Sequence, residues 1–96
     1  MQLSEIIEPR SKPKFDWFIP IDGDGEHIGT DKAEIPPTFD YLKKVALTAE
    51  ENGFYSLLVP TRFSNGLFDE NAPLAETWTT VAALAAVTEK IRFLVA

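Results

Sequence analysis

Two short polar segments of this 96-residue chain hold the side chains best suited to chemistry. The first, at 22–25, reads Asp-Gly-Asp-Gly and is followed by His27, the only histidine. Carboxylates beside an imidazole are typical proton-exchanging groups, so His27 is a candidate general acid or base. The second segment is Thr61-Arg62, where a hydroxyl and a permanent cation suit an anionic or electron-rich ligand.

The first segment does not match two better-known ligand-binding loops. A calcium-binding EF-hand loop requires glycine at its sixth position, which is His27 in this chain. A dinucleotide-binding Gly-x-Gly-x-x-Gly loop would need glycine where this chain has Ile28. With no cysteine and a single histidine, we expect no metal site. The remaining interpretation is a glycine-rich turn that leaves the end of a strand.

Alternating strands and helices are predicted around these segments. Three apolar runs rich in aromatic and β-branched residues predict strands, over 15–21, 54–60 and 90–96. Apolar residues at helical spacing predict two helices, over 39–51 and 75–88. Thr38 is the expected N-cap of the first helix, and Gly53 is its expected left-handed cap residue. In the second helix we expect a buried face that contains these five residues: Trp78, Val81, Ala82, Leu84 and Ala85.

The predicted β-α-β-α-β order is typical of a parallel α/β protein, with a first strand covered on both faces. Two architectures share this order, an open doubly wound sheet and a (β/α)8 barrel, and in both of them ligands bind at the carboxyl ends of the strands. Both polar segments follow a predicted strand at that end. The loop after the second strand is long and carries a turn signal at Asn65-Gly66. In the barrel interpretation the third strand is an open edge, and the chain is the N-terminal portion of a domain of about 250 residues.

Composition and charge exclude several functional classes. The formal net charge is −6 and no segment concentrates lysine and arginine, so we expect no nucleic-acid partner and no binding to anionic membranes. The first residues are acidic and polar where a signal peptide would be basic and then apolar, and no apolar run reaches the length of a membrane span. We therefore expect a cytoplasmic protein with an extended leader over 1–14.

Several segments also match a known family in order and spacing. They resemble the N-terminal part of the bacterial luciferase-like, flavin-dependent monooxygenases, and among these the alkanesulfonate monooxygenase-like branch. The matching stretches include Trp-Phe-Ile-Pro at 17–20, Gly-Asp-Gly at 23–25, Gly-Thr at 29–30, Leu-Val-Pro-Thr at 58–61 and the whole run over 87–96. The resemblance covers nearly all of 15–96, which it identifies as the N-terminal fragment of a luciferase-like monooxygenase barrel domain.

This resemblance implies an α/β fold, the N-terminal β-α-β-α-β portion of a TIM (β/α)8 barrel. It implies an enzyme that uses reduced FMN, supplied by a separate flavin reductase, and O2 to oxidise a small organosulfur compound such as an alkanesulfonate. By position, Thr61 and Arg62 match residues that touch the flavin ring. Trp17 and the segment containing Asp22, Gly23 and Asp24 match the substrate side. A homo-oligomer is the expected assembly of the full-length form.

Three alternatives stay open from the residues alone. An oxidoreductase of the same fold that uses the deazaflavin F420 would transfer a hydride without O2. A small non-catalytic α/β binding module, such as a receiver-like domain, would use Asp22 and Asp24 as its acidic pair, although no aspartate ends the third strand. An inactive product of a truncated reading frame is the third alternative.

Overall fold

A three-stranded parallel sheet and two helices form the part of the chain that the computed structural model describes, residues 13–29 and 33–96. The elements are β1 (Asp16–Phe18), α1 (Phe39–Glu51), β2 (Ser56–Val59), α2 (Thr77–Val87) and β3 (Arg92–Val95). Their order confirms the predicted alternation of strands and helices. The predicted leader over 1–14 lies outside the described residues except for Pro13 and Lys14, which are exposed.

The strand order in the sheet is β1-β2-β3, with both neighbouring pairs parallel. Phe18 lies beside Leu58 and Leu58 beside Leu94, so the three strands are closely in register. A receiver-like domain places β1 between β2 and β3, because its strand order begins 2-1-3. The central position of β2 therefore contradicts the receiver-like alternative. The order agrees with both a barrel and a doubly wound sheet.

Helix α1 forms where its sequence predicts it. The Thr38 hydroxyl accepts a hydrogen bond from the Tyr41 backbone N–H, as an N-cap does, and Gly53 follows the helix with a φ of 79°. Leu42, Ala46 and Ala49 are its buried residues, spaced four and three apart on one face. This face packs on one side of the sheet, and the buried core comprises Ile19, Ile21, Leu42, Ala46, Ala49, Leu57, Val59, Leu84 and Ile91.

Helix α2 differs from its prediction in both its start and its buried face. It begins at Thr77, and Glu76 is its N-cap, whose carboxylate accepts from the backbone N–H groups of residues 78 and 79. Thr77, Thr80 and Leu84 are buried, whereas Trp78 is 63% exposed and the predicted Ala82 and Ala85 are also exposed. The helix is apolar nearly all round, so its sequence pattern does not select one face. The Thr77 hydroxyl donates to the Pro60 carbonyl at 2.6 Å, which helps to turn this polar side inward.

Strand β1 is shorter and more exposed than predicted. All three of its residues are exposed, so the expected covering of both faces is wrong. Ile19 and Ile21, which follow the strand, are 0% exposed. A turn closed by the Gly23 N–H and the Pro20 carbonyl ends the extended run early. Because alternate strand residues point to opposite faces, the register puts Phe18 and Leu94 together on a face that no described helix covers.

No helix within the described ranges combines the length and apolar character that crossing a lipid bilayer requires.

The end of α1 is joined to the turn before β3 by one carboxylate. Glu50 Oε2 accepts hydrogen bonds from the backbone N–H groups of Glu89, Lys90 and Ile91 at 2.9, 2.8 and 3.0 Å. The Lys90 N–H, followed by those of Ile91 and Glu89, stabilises the charged form, so these bonds lower the pKa of Glu50 below its ordinary 4.5. This contact sets where β3 enters the sheet.

We predict that Glu50→Gln lowers the unfolding temperature at neutral pH, because a carboxamide accepts these three bonds less strongly. A group with a lowered folded-state pKa stabilises the protein above its unfolded-state pKa and stops doing so as the pH falls through the folded-state value. The difference in melting temperature between wild type and variant should therefore narrow as the pH falls below the ordinary 4.5 and through the lowered pKa of Glu50. Thermal unfolding followed by circular dichroism checks this, with Glu51→Gln on the same turn as control. A gap that is constant across this pH range contradicts the prediction.

Candidate functional site

The loops that follow β1 and β2 meet at the carboxyl end of the sheet through a buried ion pair. Asp22, in the first loop, is 1% exposed, and its Oδ1 lies 2.8 Å from Nε of Arg62 in the second loop. Its other oxygen, Oδ2, accepts from the Gly66 N–H at 2.9 Å. A buried carboxylate is strongly destabilising unless it is paired and hydrogen-bonded, and here both oxygens have partners.

Arg62 is anchored on one side and open on the other. Its side chain is 30% exposed, whereas that of Asp22 is 0% exposed. Within the described residues, Nε is the only guanidinium nitrogen that makes a hydrogen bond. The terminal nitrogens of this partly exposed side chain therefore keep their N–H donors available, and because Asp22 offsets the charge they act as oriented hydrogen-bond donors more than as an uncompensated cation.

Asn65 holds the second loop in the shape that this ion pair needs. The residue is 4% exposed, and its Nδ2 donates to the carbonyls of Asp22 and Pro73 at 2.8 and 3.0 Å. Its Oδ1 accepts from the backbone N–H groups of Leu67 and Phe68 at 3.1 and 2.9 Å. The Asn-Gly pair predicts a turn, but that signal alone does not reveal the bonds to the other loop, and Asn65 was missed as a site residue.

Gly23 and Asp24 fold the first loop back on itself. Asp24 pairs with Ile35 in an isolated antiparallel bridge, with N–H to carbonyl distances of 2.8 and 2.9 Å. Gly23 has a φ of 97°, and a Cβ there would come within 3.0 Å of the Ile35 carbonyl oxygen, so this position requires glycine. The Asp24 carboxylate accepts from the Gly25 N–H and, at 2.6 Å, from the Tyr41 hydroxyl.

Tyr41 is held in its neutral form by this arrangement. The pKa of Tyr41 is raised to about 12. The largest cause is burial of the phenol, followed by the hydrogen bond that it donates to Asp24 and by the negative charge of that carboxylate. The bond ties α1 to the first loop. Tyr41 is a second residue that sequence analysis missed, since nothing in the pattern marks it among the other residues of the helix.

A small pocket opens between the two loops. Its volume is about 190 Å³, and Trp17, Phe18, Ile28 and Phe68 give it a largely apolar lining. Gly23 and Asp24 also line this pocket, together with Pro20, Gly25 and Leu67, and within 13–29 and 33–96 no lysine or arginine does. A larger groove of about 370 Å³, also lined by Trp17 and Asp24, lies along α1.

The structure brings together some of the predicted site residues and separates others. Asp22 contacts Arg62, and Trp17, Gly23 and Asp24 meet at the pocket. Thr61 is exposed, and its backbone N–H donates to the Ala96 carbonyl, which extends the pairing of β2 with β3. The roles assigned to these residues stay predictions.

His27 is exposed, and its side chain makes none of the hydrogen bonds or ion pairs found in the described part of the chain. An acid or base role for His27 therefore stays a prediction from the sequence. In 13–29 and 33–96, no three histidine, cysteine, aspartate or glutamate side chains come together as a metal site would require.

Comparison with known protein families agrees with this architecture. The chain matches the family described as luciferase-like monooxygenase over residues 14–96. Because the match spans most of the chain, the protein belongs to the luciferase-like monooxygenase family. The family predicted from the sequence is thereby confirmed.

We predict that Asn65→Ala destabilises the protein by about 2 to 4 kcal/mol, because it leaves buried carbonyl and N–H groups of both loops without partners. Asn65→Asp keeps an acceptor oxygen for the two backbone N–H groups and loses both N–H donors of Nδ2, so it should cost a similar amount. Urea unfolding of the purified protein checks this, with Asn71→Ala in the exposed part of the same loop as control. A loss below about 0.5 kcal/mol for Asn65→Ala would contradict the account of the loop.

We also predict that Tyr41 ionises at about pH 12 and that Asp24→Asn lowers this value toward the ordinary 10.0 without reaching it. The variant removes the charge of Asp24 but leaves the desolvation, which is the largest cause. Tyrosinate absorbance in an alkaline titration measures the pKa, and Tyr41→Phe identifies its step. The control is Asp40→Asn, since Asp40 is a neighbouring carboxylate on α1. An unchanged value in Asp24→Asn would show that the two groups are not bonded in solution.

Proposed function

We propose that this protein is a flavin-dependent monooxygenase that uses reduced FMN and O2 to oxidise a small organosulfur compound of the alkanesulfonate class. Family membership supports the flavin oxidoreductase chemistry. The observation that carries the site is the joined pair of loops at the carboxyl end of the parallel sheet, with the Arg62 side chain 30% exposed and an apolar pocket between the same two loops. In parallel α/β folds this end of the sheet is where ligands bind.

The residues present fit one side of a flavin. The pyrimidine part of the ring system carries carbonyl oxygens that accept hydrogen bonds, and an arginine fixed through Nε offers its terminal nitrogens in a defined plane. Thr61, exposed next to Arg62, adds a hydroxyl at the same strand end. The uncovered sheet face that includes Phe18, Leu58 and Leu94 supplies apolar surface near them. When bound, reduced FMN supplies the electrons that activate O2.

The pocket between the loops is proposed to take the carbon chain of the substrate. Trp17 and Phe18 provide apolar contact area, and Gly23 and Asp24 form its polar rim. Since none of the described residues that line this pocket is a cation, we propose that the charged group of a sulfonate lies outside it. His27 is retained as a candidate acid or base at the edge of the same loop.

The partners of the reaction follow from this proposal. We propose that a separate flavin reductase delivers reduced FMN and that the working assembly is a homo-oligomer in the cytoplasm. A dry and closed pocket would be required, because excluding water prevents side reactions of the reduced cofactor. The exposed apolar side chains Phe18 and Leu94 are then expected to be covered in the assembled enzyme.

The direct test is an anaerobic titration of the intact protein with reduced FMN and, separately, with reduced F420, followed by admission of O2 with a series of linear alkanesulfonates. The proposal expects saturable binding of reduced FMN and release of sulfite with consumption of O2. Binding of F420 and hydride transfer without O2 uptake would instead establish the F420-dependent alternative. If neither reduced FMN nor reduced F420 binds, both proposals are contradicted and the alternative of an inactive protein is favoured.

We predict that Arg62→Ala weakens FMN binding by roughly tenfold, because it removes hydrogen bonds donated by a charged group. Fluorescence titration with oxidised FMN measures the dissociation constant. Arg92→Ala is the matched control, since Arg92 is an exposed arginine at the amino end of β3, where it stacks on Tyr55. Equal affinities for wild type and Arg62→Ala would remove Arg62 from the flavin site.

A further inference from the structure

We propose that Asp22 is a positioning residue for Arg62 and does not itself contact the substrate. The inference rests on the proposed function, in which Arg62 contacts the flavin. It reassigns Asp22 from the substrate side, where the family resemblance places it.

Burial and bonding set the role of Asp22. Its side chain is 0% exposed, so neither carboxylate oxygen reaches the surface of the pocket. Oδ1 is occupied by Arg62 Nε and Oδ2 by the Gly66 N–H. A substrate group would have to displace one of these donors and leave it unpaired in a buried position. The carboxylate therefore acts on the protein and not on the ligand.

Asp22 can orient Arg62 because it binds the Nε atom of the guanidinium and leaves both terminal nitrogens free of this contact. The guanidinium group is planar, so an Nε bond to a fixed acceptor fixes the directions of the terminal N–H bonds. Asp22 is fixed in turn, because its own carbonyl accepts from the buried Asn65 side chain. The orientation of the donors offered to a ligand is thus decided before the ligand binds, which reduces the entropy lost on binding.

Gly66 provides an independent view of the same arrangement. It donates its N–H to Asp22, and a Cβ built on it would lie 3.1 Å from Nη1 of Arg62. This distance is tighter than normal contact, so a methyl group there requires the guanidinium to move by a few tenths of an ångström. Gly66→Ala therefore shifts the terminal nitrogens while both charges of the pair are kept.

The test is a double-mutant cycle on the intact protein, with oxidised FMN as the probe. We expect Asp22→Asn to weaken FMN binding by about tenfold, since the carboxamide holds Nε weakly and opposes the Gly66 N–H with a donor of its own. Combined with Arg62→Ala it should add less than about twofold, because positioning has no effect without the positioned group. The control is Asp69→Asn, since Asp69 is an exposed carboxylate in the loop that also contains Arg62.

A second readout does not involve FMN. The Nε–Hε signal of Arg62 in 15N NMR spectra, assigned by its loss in Arg62→Lys, should lie apart from those of solvated arginines in the wild type. In Asp22→Asn it should move to their position. In Gly66→Ala the Nε–Hε signal should stay at its hydrogen-bonded position, and FMN binding should still weaken by about threefold. This variant tests the positioning role even if Asp22→Asn fails to fold.

The outcomes separate the two proposals. If Arg62→Ala leaves FMN affinity unchanged, the proposed flavin site fails. If Arg62→Ala weakens binding while a folded Asp22→Asn or Gly66→Ala binds FMN like the wild type, the flavin site stands and the positioning role is overturned. Fully additive effects of Asp22→Asn and Arg62→Ala would also overturn it, because each residue would then act separately.

Discussion

A buried carboxylate is the constraint around which the described structure is arranged. Asp22 has lost its water, and the protein must replace that water with donors from elsewhere in the chain. The donors are the guanidinium of Arg62, 40 residues further along the chain, and the backbone N–H of Gly66. These contacts hold together the loops that follow two neighbouring parallel strands of the sheet. The geometry of the strand ends, and of any ligand there, depends on this replacement.

The same principle extends through the rest of the site. Asn65 satisfies backbone groups of both loops, Asp24 anchors to Tyr41 on α1, and Thr77 of α2 donates to the carbonyl at the end of β2. In the part of the chain that the structure describes, no buried side-chain nitrogen or oxygen is left without a partner. The polar network thus makes the carboxyl end of the sheet a defined surface, whereas the apolar core holds the helices to the sheet behind it.

The sequence predicts local features well and long-range pairing poorly. Helix α1 follows from Thr38, from a single apolar stripe and from Gly53, all of which act within a few residues. The buried face of α2 could not be derived, because an apolar helix has several equivalent faces until the Thr77 hydroxyl meets the end of β2. The expected meeting of both polar segments at one end of the sheet is correct in outline. That Asp22 lies beneath Arg62 could not be predicted, since burial is decided by packing and not by residue type.

The most direct measurement is an experimental structure of the intact protein bound to oxidised FMN. We predict that the terminal nitrogens of Arg62 donate to the flavin while Nε remains bonded to Asp22, with the ring at the carboxyl ends of β1 and β2. Flavin bound elsewhere, or an Arg62 that leaves Asp22 to reach it, would contradict the claim that this ion pair builds the cofactor site.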